Sequence, residues 1–378
     1  MNFFDFTWNY IIVFLIVLTV LIYVHEWGHY WVALRNGVRV EVFSIGFGPE
    51  VFGWTNKVGT RWKIGLIPLG GYVKMFGEDD GASSDDDEDK RELTPEEKEV
   101  SFHHKTLGQR AAIVAAGPIV NFIFAIFAFA GLAMFEGNPI PLAYVGEVMP
   151  KSAAAEAGLI KGDQVVAIEG TEITTFEELR QIVIKKPEQK LMFDIRRDGK
   201  FIRLPATPRS ASDGSGTAPS VGRLGIRPHL DHLEFERQDP ITAIWVGVER
   251  TAILTYRILT YIGDMITGDR STDDLGGPLR IAKISGEMAQ LGLSQVILLM
   301  AMLSVNLGLI NLFPIPMLDG GHLAFYAAEA VRGRPLGQTA QEYGFRFGLI
   351  LVLLLVVFVT WNDLVHLRVI EFLKELFV

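Results

Sequence analysis

Residues 8–34 read WNYIIVFLIVLTVLIYVHEWGHYWVAL, an apolar stretch that contains His25, Glu26 and His29. About 20 apolar residues are enough for a helix to cross a bilayer. An ionisable side chain at the centre of such a helix costs on the order of 2.5 to 3.5 kcal/mol, even on the lenient insertion scale. Three such side chains together therefore indicate a functional site inside a membrane helix.

The spacing of these three residues is typical of zinc sites. Positions four apart on a helix lie on nearly the same face, so His25 and His29 can bind one ion. Neutral imidazoles suit Zn²⁺, and Glu26 stands where a carboxylate that is not a ligand can take a proton from the attacking water. The pattern thus predicts Zn²⁺ as cofactor, His25 and His29 as metal ligands, and Glu26 as the catalytic base.

Composition narrows the class of protein. Hydrophobic residues make up 49% of the 378 residues and charged residues 21%, so apolar and polar segments must be separated along the chain. This is typical of a membrane protein that carries a water-exposed domain. The formal net charge of −9 does not suggest nucleic-acid binding, and the lack of cysteine excludes disulfides and thiolate ligands.

Four apolar segments qualify as membrane spans by length, and basic residues predict their direction. Arg35 is the first basic residue, and Lys and Arg crowd the connection between the first two spans, among them Arg35, Arg39, Lys57, Arg61, Lys63, Lys74 and Arg110. By the positive-inside rule this connection is cytoplasmic, and both termini are extracytoplasmic. Residues 136–293 then lie outside, and the metal motif lies toward the cytoplasmic side.

Two segments between the spans predict further structure. Residues 38–75 alternate apolar and polar side chains with Gly punctuation, which predicts β-hairpins. We expect them to dip into the membrane face and to pair with an extended substrate, with an ordinary solvated hairpin as the alternative. Residues 141–207, with Val145-Gly-Glu-Val, Lys161-Gly-Asp and a helix near 175–184, resemble a PDZ domain.

The predicted fold class is a polytopic α-helical membrane protein with four transmembrane helices, a membrane-associated β-hairpin region and an inserted extracytoplasmic PDZ (α+β) domain. Its segments are residues 1–37, the first transmembrane helix; 38–76, the β-hairpin region; 77–108, an acidic disordered cytoplasmic loop; 109–136, the second transmembrane helix; 137–209, the PDZ domain; 210–238, a linker; 239–293, an amphipathic surface helix and connection; 294–320, the third transmembrane helix; 321–345, a cytoplasmic connection; and 346–378, the fourth transmembrane helix and tail. Within 239–293, Glu249, Arg250 and Arg257 favour a helix on the membrane surface over a fifth span.

The third span ends in residues 311–322, NLFPIPMLDGGH. Pro314 and Pro316 cannot continue a regular helix, so the backbone opens here. Irregular backbone at membrane depth requires a surrounding protein cavity, such as an active site. Catalytic zinc usually takes three protein ligands, and the first span offers only two. Asp319 is the best candidate for the third, with His322 as its competitor and a plain helix-terminal turn as the structural alternative.

With these motifs the chain resembles the site-2 protease family of intramembrane zinc metalloproteases, in its bacterial regulator-of-sigma-E branch. The resemblance covers nearly the full chain. It rests on the His25 motif, the PDZ domain and the 311–320 run, together with three shorter elements: Phe43-Ser-Ile-Gly46-Phe-Gly48-Pro49, Gly70-Gly71-Tyr72-Val73-Lys74-Met75, and Ala116-Gly117-Pro118 with Asn121. Gly117 and Asn121, one turn apart, are interpreted as helix-packing residues.

The resemblance implies an enzyme, a zinc metalloendopeptidase of the bacterial inner membrane, with zinc held by His25, His29 and Asp319. It implies substrate contacts at Asn311 and along the strands after the first span; the candidates are Asn311, Pro314, Pro316, Gly46, Gly48, Gly71 and Tyr72. The implied partners are membrane lipid and single-pass substrates such as anti-sigma factors, already cut on the outer side by another protease. Members with two PDZ domains are the better known, so the single domain here leaves a size-filter role open.

Two other functions remain as alternatives. The first is a membrane scaffold in which the PDZ domain binds peptides and the metal site is vestigial; the intact Glu26 argues against it, because a structural site needs no base. The second is a metal transporter, which intramembrane His and Asp would also serve. Few spans and an appended PDZ domain argue against that reading.

Overall fold

The computed structural model describes residues 3–78, 93–211, 221–229, 231–271 and 276–366. Its helices are α1 (Phe3–Arg35), α2 (Pro95–Val100), α3 (Leu107–Phe135), α4 (Ala153–Glu156), α5 (Phe176–Ile184), α6 (Pro240–Thr267), α7 (Pro278–Leu291), α8 (Leu293–Asn311), α9 (Asp319–Arg332) and α10 (Gln338–His366). Four of the described helices, α1, α3, α8 and α10, are long and apolar enough to cross a membrane. The chain divides into two compact units, Ala133–Asp239 and the remainder.

The strands are β1 (Val40–Thr55), β2 (Arg61–Met75), β3 (Asn138–Pro141), β4 (Val145–Val148), β5 (Gln164–Ile168), β6 (Thr171–Glu172), β7 (Leu191–Arg197), β8 (Lys200–Ala206), β9 (Arg209–Ala211), β10 (Val221–Arg223), β11 (Ile226–Pro228) and β12 (Leu233–Glu236). β1 and β2 belong to the larger unit, and β3 to β12 belong to the smaller one.

β1 and β2 form one long antiparallel hairpin that folds back on itself. The first half of β1 pairs on one side with residues 71–75 of β2 and on the other with residues 61–64. Residues 61–65 in turn pair with the second half of β1. The hairpin thus has four strand segments, and among the described residues 71–75 are paired on one side only. That segment is a free sheet edge.

Aromatic packing fixes the hairpin against α1. Phe43 is fully buried and stacks on Trp62, with ring centroids 4.2 Å apart. Tyr30 of α1 meets both rings edge-on at 5.6 and 5.3 Å. Such aromatic contacts contribute about 0.5–1.5 kcal/mol each beyond the area they bury. The distal part of the hairpin instead exposes large apolar side chains: Val51, Phe52, Trp54, Val58, Leu66 and Ile67.

The amphipathic helix α7 packs along α1 and begins at a buried carboxylate of α10. The Gly277, Leu279 and Arg280 amides donate to Asp363 at 2.8, 3.0 and 3.1 Å. These amides have no partner within the helix, and a carboxylate there also complements the positive end of the helix dipole. Asp363 therefore fixes the start of α7 to α10.

The smaller unit has its own core around Val165, Phe193 and Ile195. Its main sheet has the order β6-β5-β7-β8, and α5 covers it. Three pairs of short strands form separate two-stranded sheets: β11 pairs with β4, β12 with β3, and β10 with β9. A bidentate ion pair from Arg197 to the buried Asp163 adds to this core, with N to O distances of 2.7 Å.

The structure corrects two predicted segments. Residues 221–229 and 231–236 are not part of a linker, because β10, β11 and β12 pair with strands of the smaller unit. Residues 212–220, most of the Gly/Ser-rich stretch, lie outside the described residues. The predicted disordered loop 77–108 is wrong for 93–108, where Thr94 caps α2 and Phe102 is buried; residues 79–92 lie outside the described residues.

Other observed helix ends differ from the predicted segment boundaries, because the pattern of apolar residues does not mark where the backbone leaves a helix. α8 ends at Asn311, before the break that Pro314 and Pro316 predict, so only the first part of the predicted segment 294–320 is one helix, and the predicted connection 321–345 contains most of α9. α10 begins at Gln338, ahead of its apolar core. α6 is not among the four candidate spans, and a stripe of small residues, Ala243, Gly247 and Thr251, forms its buried face.

Candidate metal centre

Three side chains from distant parts of the chain converge at one point. The ligand atoms of His25, His29 and Asp319 all lie within 4.8 Å of one another. His25 Nε2 lies 3.2 Å from His29 Nε2 and 3.2 Å from Asp319 Oδ2, and His29 Nε2 lies 3.6 Å from Asp319 Oδ1. Among the described residues this is the one group of three or more such side chains that could hold a metal ion.

These distances fit a zinc ion. Ligand atoms about 2.0–2.2 Å from a tetrahedral zinc are separated from one another by about 3.3 Å. The three separations bracket that value without any movement of the backbone. In addition, Asp319 Oδ2 is buried and makes no hydrogen bond of good geometry with the described residues, although His25 Nε2 lies 3.2 Å away, an arrangement that suits two ligands of one cation. Two imidazoles and one carboxylate form the donor set of many catalytic zinc sites.

Tight turns bring Asp319 to the histidines. After α8 ends, Met317 adopts φ 88°, a backbone region that costs a non-Gly residue about 1–3 kcal/mol, and α9 then begins at Asp319 itself. Gly320 packs so closely that a Cβ there would lie 2.2 Å from the Phe313 carbonyl oxygen. Gly321 packs likewise on Ile315, at 2.4 Å. The two glycines thus let the start of α9 fold onto the segment after α8.

α3 lines the other side of the two histidines. A Cβ on Gly117 would lie 2.3 Å from His29 Nε2 and 2.8 Å from His25 Cε1. A Cβ on Gly28 of α1 would lie 2.6 Å from the Ala116 carbonyl oxygen, so the two helices touch backbone to backbone. Small residues permit this kind of close approach between membrane helices.

The structure also shows where the other candidate residues lie. Asn311 Nδ2 is 3.4 Å from His25 Nε2, at the border of the metal centre. Gly71 lies against α1, because a Cβ there would be 3.2 Å from Glu26 Cγ. Tyr72 stacks on Phe47 within the hairpin. The remaining candidates lie farther out: Gly46 and Gly48 have φ values of 86° and 84° in β1, Pro314 is exposed, and Pro316 packs under Gly348 of α10.

His322, the competitor for the third ligand, lies outside the group of three. Its ring packs on Phe345 of α10, with centroids 5.2 Å apart. Sequence reasoning missed two contacts that the histidines make with α3. His29 Nδ1 lies 2.9 Å from the Ile113 carbonyl oxygen, and His25 Nδ1 lies 3.1 Å from Asn121 Nδ2. The spacing of Gly117 and Asn121 was the available signal, since it places both on one face of α3.

A site of this kind, with two of its three ligands on a helix long and apolar enough to span a membrane, is characteristic of membrane-bound zinc proteases, and comparison with known proteins agrees. The model of Peptidase family M50 matches residues 13–355. The chain belongs to this family, the site-2 proteases, and is a zinc metalloprotease.

Relatives match along almost the whole chain. Atu1380 of Agrobacterium fabrum, provisionally named a zinc metalloprotease, is 46% identical over 363 residues, which cover 94% of this chain and 96% of the relative. Metalloprotease MmpA of Caulobacter vibrioides is 37% identical, covering 96% and 97%. Regulator of sigma-E protease RseP of Escherichia coli is 34% identical over 450 aligned positions, covering 93% and 97%. That alignment is longer than this chain, so RseP contains segments without a counterpart here.

A solved structure of the PDZ domain of an SdrC-like protein from Listeria innocua matches 26% of this chain and 99% of its own, at 18% identity and a TM-score of 0.21.

Proposed function

We propose that this zinc metalloprotease hydrolyses single-pass transmembrane proteins within or near the cytoplasmic boundary of the bacterial inner membrane. One observation carries the proposal: two of the three clustered ligands, His25 and His29, belong to a helix that is long and apolar enough to span the bilayer. A peptide bond reaches such a centre only if it lies in a membrane segment or at its border. Membrane segments of other proteins are therefore the expected substrates.

In this proposal His25, His29 and Asp319 hold the zinc ion, and Glu26 is the general base. Zinc held by such a ligand set supplies Lewis acidity, which makes water a competent nucleophile near neutral pH. Glu26 takes the proton of the attacking water and passes it to the leaving amine. Its position supports this role, because it follows His25 directly and faces the free sheet edge at Gly71.

The substrate must be extended when it is cut, because a helix hides its carbonyl groups in its own hydrogen bonds. Among the described residues, 71–75 pair with strand residues on one side only, so their outer side can accept such a strand, and Gly71 places that edge beside Glu26. Gly46, Gly48 and Tyr72 shape the same hairpin. Asn311 is 3.4 Å from His25 Nε2 and can donate to a substrate carbonyl there, with Pro314 and Pro316 holding its loop open.

We propose the membrane topology from the distribution of basic residues, and the partners from the family to which the chain belongs. The basic residues after α1 favour a cytoplasmic metal centre, with both termini and the smaller unit outside. The smaller unit is proposed to be a PDZ domain that filters substrates by size or binds peptide ends. α6 is proposed to lie on the outer membrane surface. The proposed substrates are single-pass proteins such as anti-sigma factors, cut first by a protease on the outer side, as the family resemblance implies; the Escherichia coli relative is named a regulator of sigma-E protease.

The ligand set is tested by zinc analysis of purified variants. Asp319→Ala is expected to lose bound zinc, whereas His322→Ala is expected to keep it, because His322 lies outside the cluster. Full zinc content in Asp319→Ala, or its loss in His322→Ala, would assign the third ligand differently.

The substrate class is tested by comparing membrane proteomes of cells that carry wild-type protein or Glu26→Gln. Shortened single-pass proteins should accumulate only with Glu26→Gln. Glu287→Gln, the same exchange at a half-exposed position of α7, is the matched control and should resemble wild type. Identical proteomes in all three strains would favour the peptide-binding scaffold instead.

A further inference from the structure

Asn121 of α3 is fully buried and touches a metal ligand on the side away from the metal. Its Nδ2 lies 3.1 Å from His25 Nδ1, whereas the Nε2 of the same ring faces Asp319 and His29. Asn121 Oδ1 is also buried and has no hydrogen-bond partner among the described residues. A buried amide oxygen without a donor is costly, so its presence here calls for an explanation.

The chemistry of a histidine ligand supplies one. An imidazole that binds a cation through Nε2 carries its proton on Nδ1, so Nδ1 becomes a donor. It then needs an acceptor, and the amide –NH₂ is a donor. The two ends of an amide have nearly the same shape, so a half-turn of the Asn121 side chain brings the unpartnered Oδ1 to His25 Nδ1.

The second histidine already has this arrangement. His29 Nδ1 lies 2.9 Å from the Ile113 carbonyl oxygen, which can only accept. Both imidazoles are therefore oriented from the same helix, α3, one through a backbone carbonyl and the other through a side chain. Partners of this kind fix the tautomer and ring orientation of metal-binding histidines.

We propose that Asn121 is a positioning residue of the zinc centre. When the metal is bound, its Oδ1 accepts a hydrogen bond from His25 Nδ1–H and holds His25 in the tautomer that leaves Nε2 free for the ion. The proposal rests on His25 being a zinc ligand. It replaces the interpretation of Asn121 as a helix-packing residue alone.

The surroundings of Asn121 keep its side chain at this place. The fully buried Ser304 of α8 donates to the Asn121 backbone carbonyl at 2.9 Å. Gly308, one turn further along α8, packs so closely that a Cβ there would lie 3.3 Å from Asn121 Cβ. The Ser304 hydrogen bond goes to the main chain of Asn121, so the packing role and the acceptor role can be separated by mutation.

The test measures zinc affinity by chelator competition on the purified full chain. Asn121→Leu keeps the volume and removes the acceptor, and it should bind zinc roughly 10- to 100-fold more weakly. Asn121→Asp restores an acceptor for Nδ1–H and should recover most of that loss. Ser304→Ala removes the contact to the Asn121 carbonyl and should leave zinc affinity unchanged.

Unchanged zinc affinity in Asn121→Leu would overturn the proposal, as would Asn121→Asp binding no better than Asn121→Leu. If Asn121→Leu does not fold, Asn121→Ala takes its place in the same comparison with Asn121→Asp. His25→Ala distinguishes the zinc-ligand role of His25 from the positioning role of Asn121. Wild-type zinc affinity in His25→Ala would refute the ligand assignment itself, whereas weakened affinity there with no effect in Asn121→Leu would refute only the positioning role.

Discussion

Gly117 of α3 packs tightly against both histidines of the metal centre. In Gly117→Ala the new methyl group would begin 2.3 Å from His29 Nε2, whereas ordinary van der Waals contact starts at 3.4 Å. The ring or the helix must therefore move by about 1 Å. Neither neighbour can yield easily, because the Ile113 carbonyl fixes His29 and Gly28 holds α1 against α3.

The expected magnitude follows from that displacement. Overpacking a well-packed contact costs about 1–3 kcal/mol of stability. A shift of about 1 Å in a catalytic group costs roughly 100-fold in rate. We therefore expect Gly117→Ala to retain its overall fold while cleavage of a reporter transmembrane substrate falls about 100-fold and zinc affinity decreases.

Gly131→Ala is the matched control in the same helix, since a Cβ at Gly131 meets no atom within 4 Å. It should cleave the reporter and bind zinc as wild type does. Cleavage rate and zinc content are measured on detergent-purified protein for both variants. The reasoning is refuted if Gly117→Ala matches Gly131→Ala in both measurements, because the two helices would then separate at no cost to the site.

Three further predictions concern other parts of the fold. Met317→Gly removes a side chain at φ 88°, so it should raise the unfolding temperature by an amount that corresponds to about 1 kcal/mol; an unchanged or lower Tm would contradict backbone strain there. Asp363→Ala removes the acceptor of three amides at the start of α7, which should destabilise that helix start by about 1–2 kcal/mol. Hydrogen exchange at residues 277–281 should therefore become faster, and exchange equal to wild type would contradict the cap. The Thr175 and Thr174 amides lower the pKa of Glu178 below its ordinary value of 4.5, so the carboxylate stabilises the start of α5 above that pH and loses this effect as pH falls through the lowered pKa. Protection from hydrogen exchange at residues 174–178 should follow this pH dependence in wild type but not in Glu178→Gln. Parallel pH profiles of the two proteins would refute the prediction.

The metal centre could be inferred from sequence because each part of it has a local signature. Spacing alone brings His25 and His29 to one face of a helix. Pro314 and Pro316 forbid a continuous helix, and the structure confirms that α8 ends before them. Asp319 followed as the nearest carboxylate after that break. None of these inferences needed knowledge of which helices touch.

The contacts of Asn121 and Gly117 could not be inferred in the same way. A small residue and an amide one turn apart predict close packing, but sequence does not name the partner helix. Gly117 and Asn121 lie beside the zinc site because α3 packs against α1, and only the structure shows that contact.

The sequence does not predict the short strands of the smaller unit, for a different reason. β10, β11 and β12 contain three or four residues each, too few for alternation to stand out beside a Gly/Ser-rich stretch. β11 and β12 are defined by pairing with β4 and β3, which are distant in sequence, and β10 pairs with β9 across the Gly/Ser-rich stretch. Residues 93–108 were misjudged because the charge of the neighbouring acidic run hid a capping box at Thr94 and the apolar anchor Phe102.

The central claim is that Glu26 acts as the base beside a zinc ion held by His25, His29 and Asp319. The most direct test measures zinc content and cleavage of a reporter transmembrane substrate on the same purified sample of Glu26→Gln. The account predicts zinc equal to wild type and no detectable cleavage. Cleavage at the wild-type rate with zinc bound would contradict it.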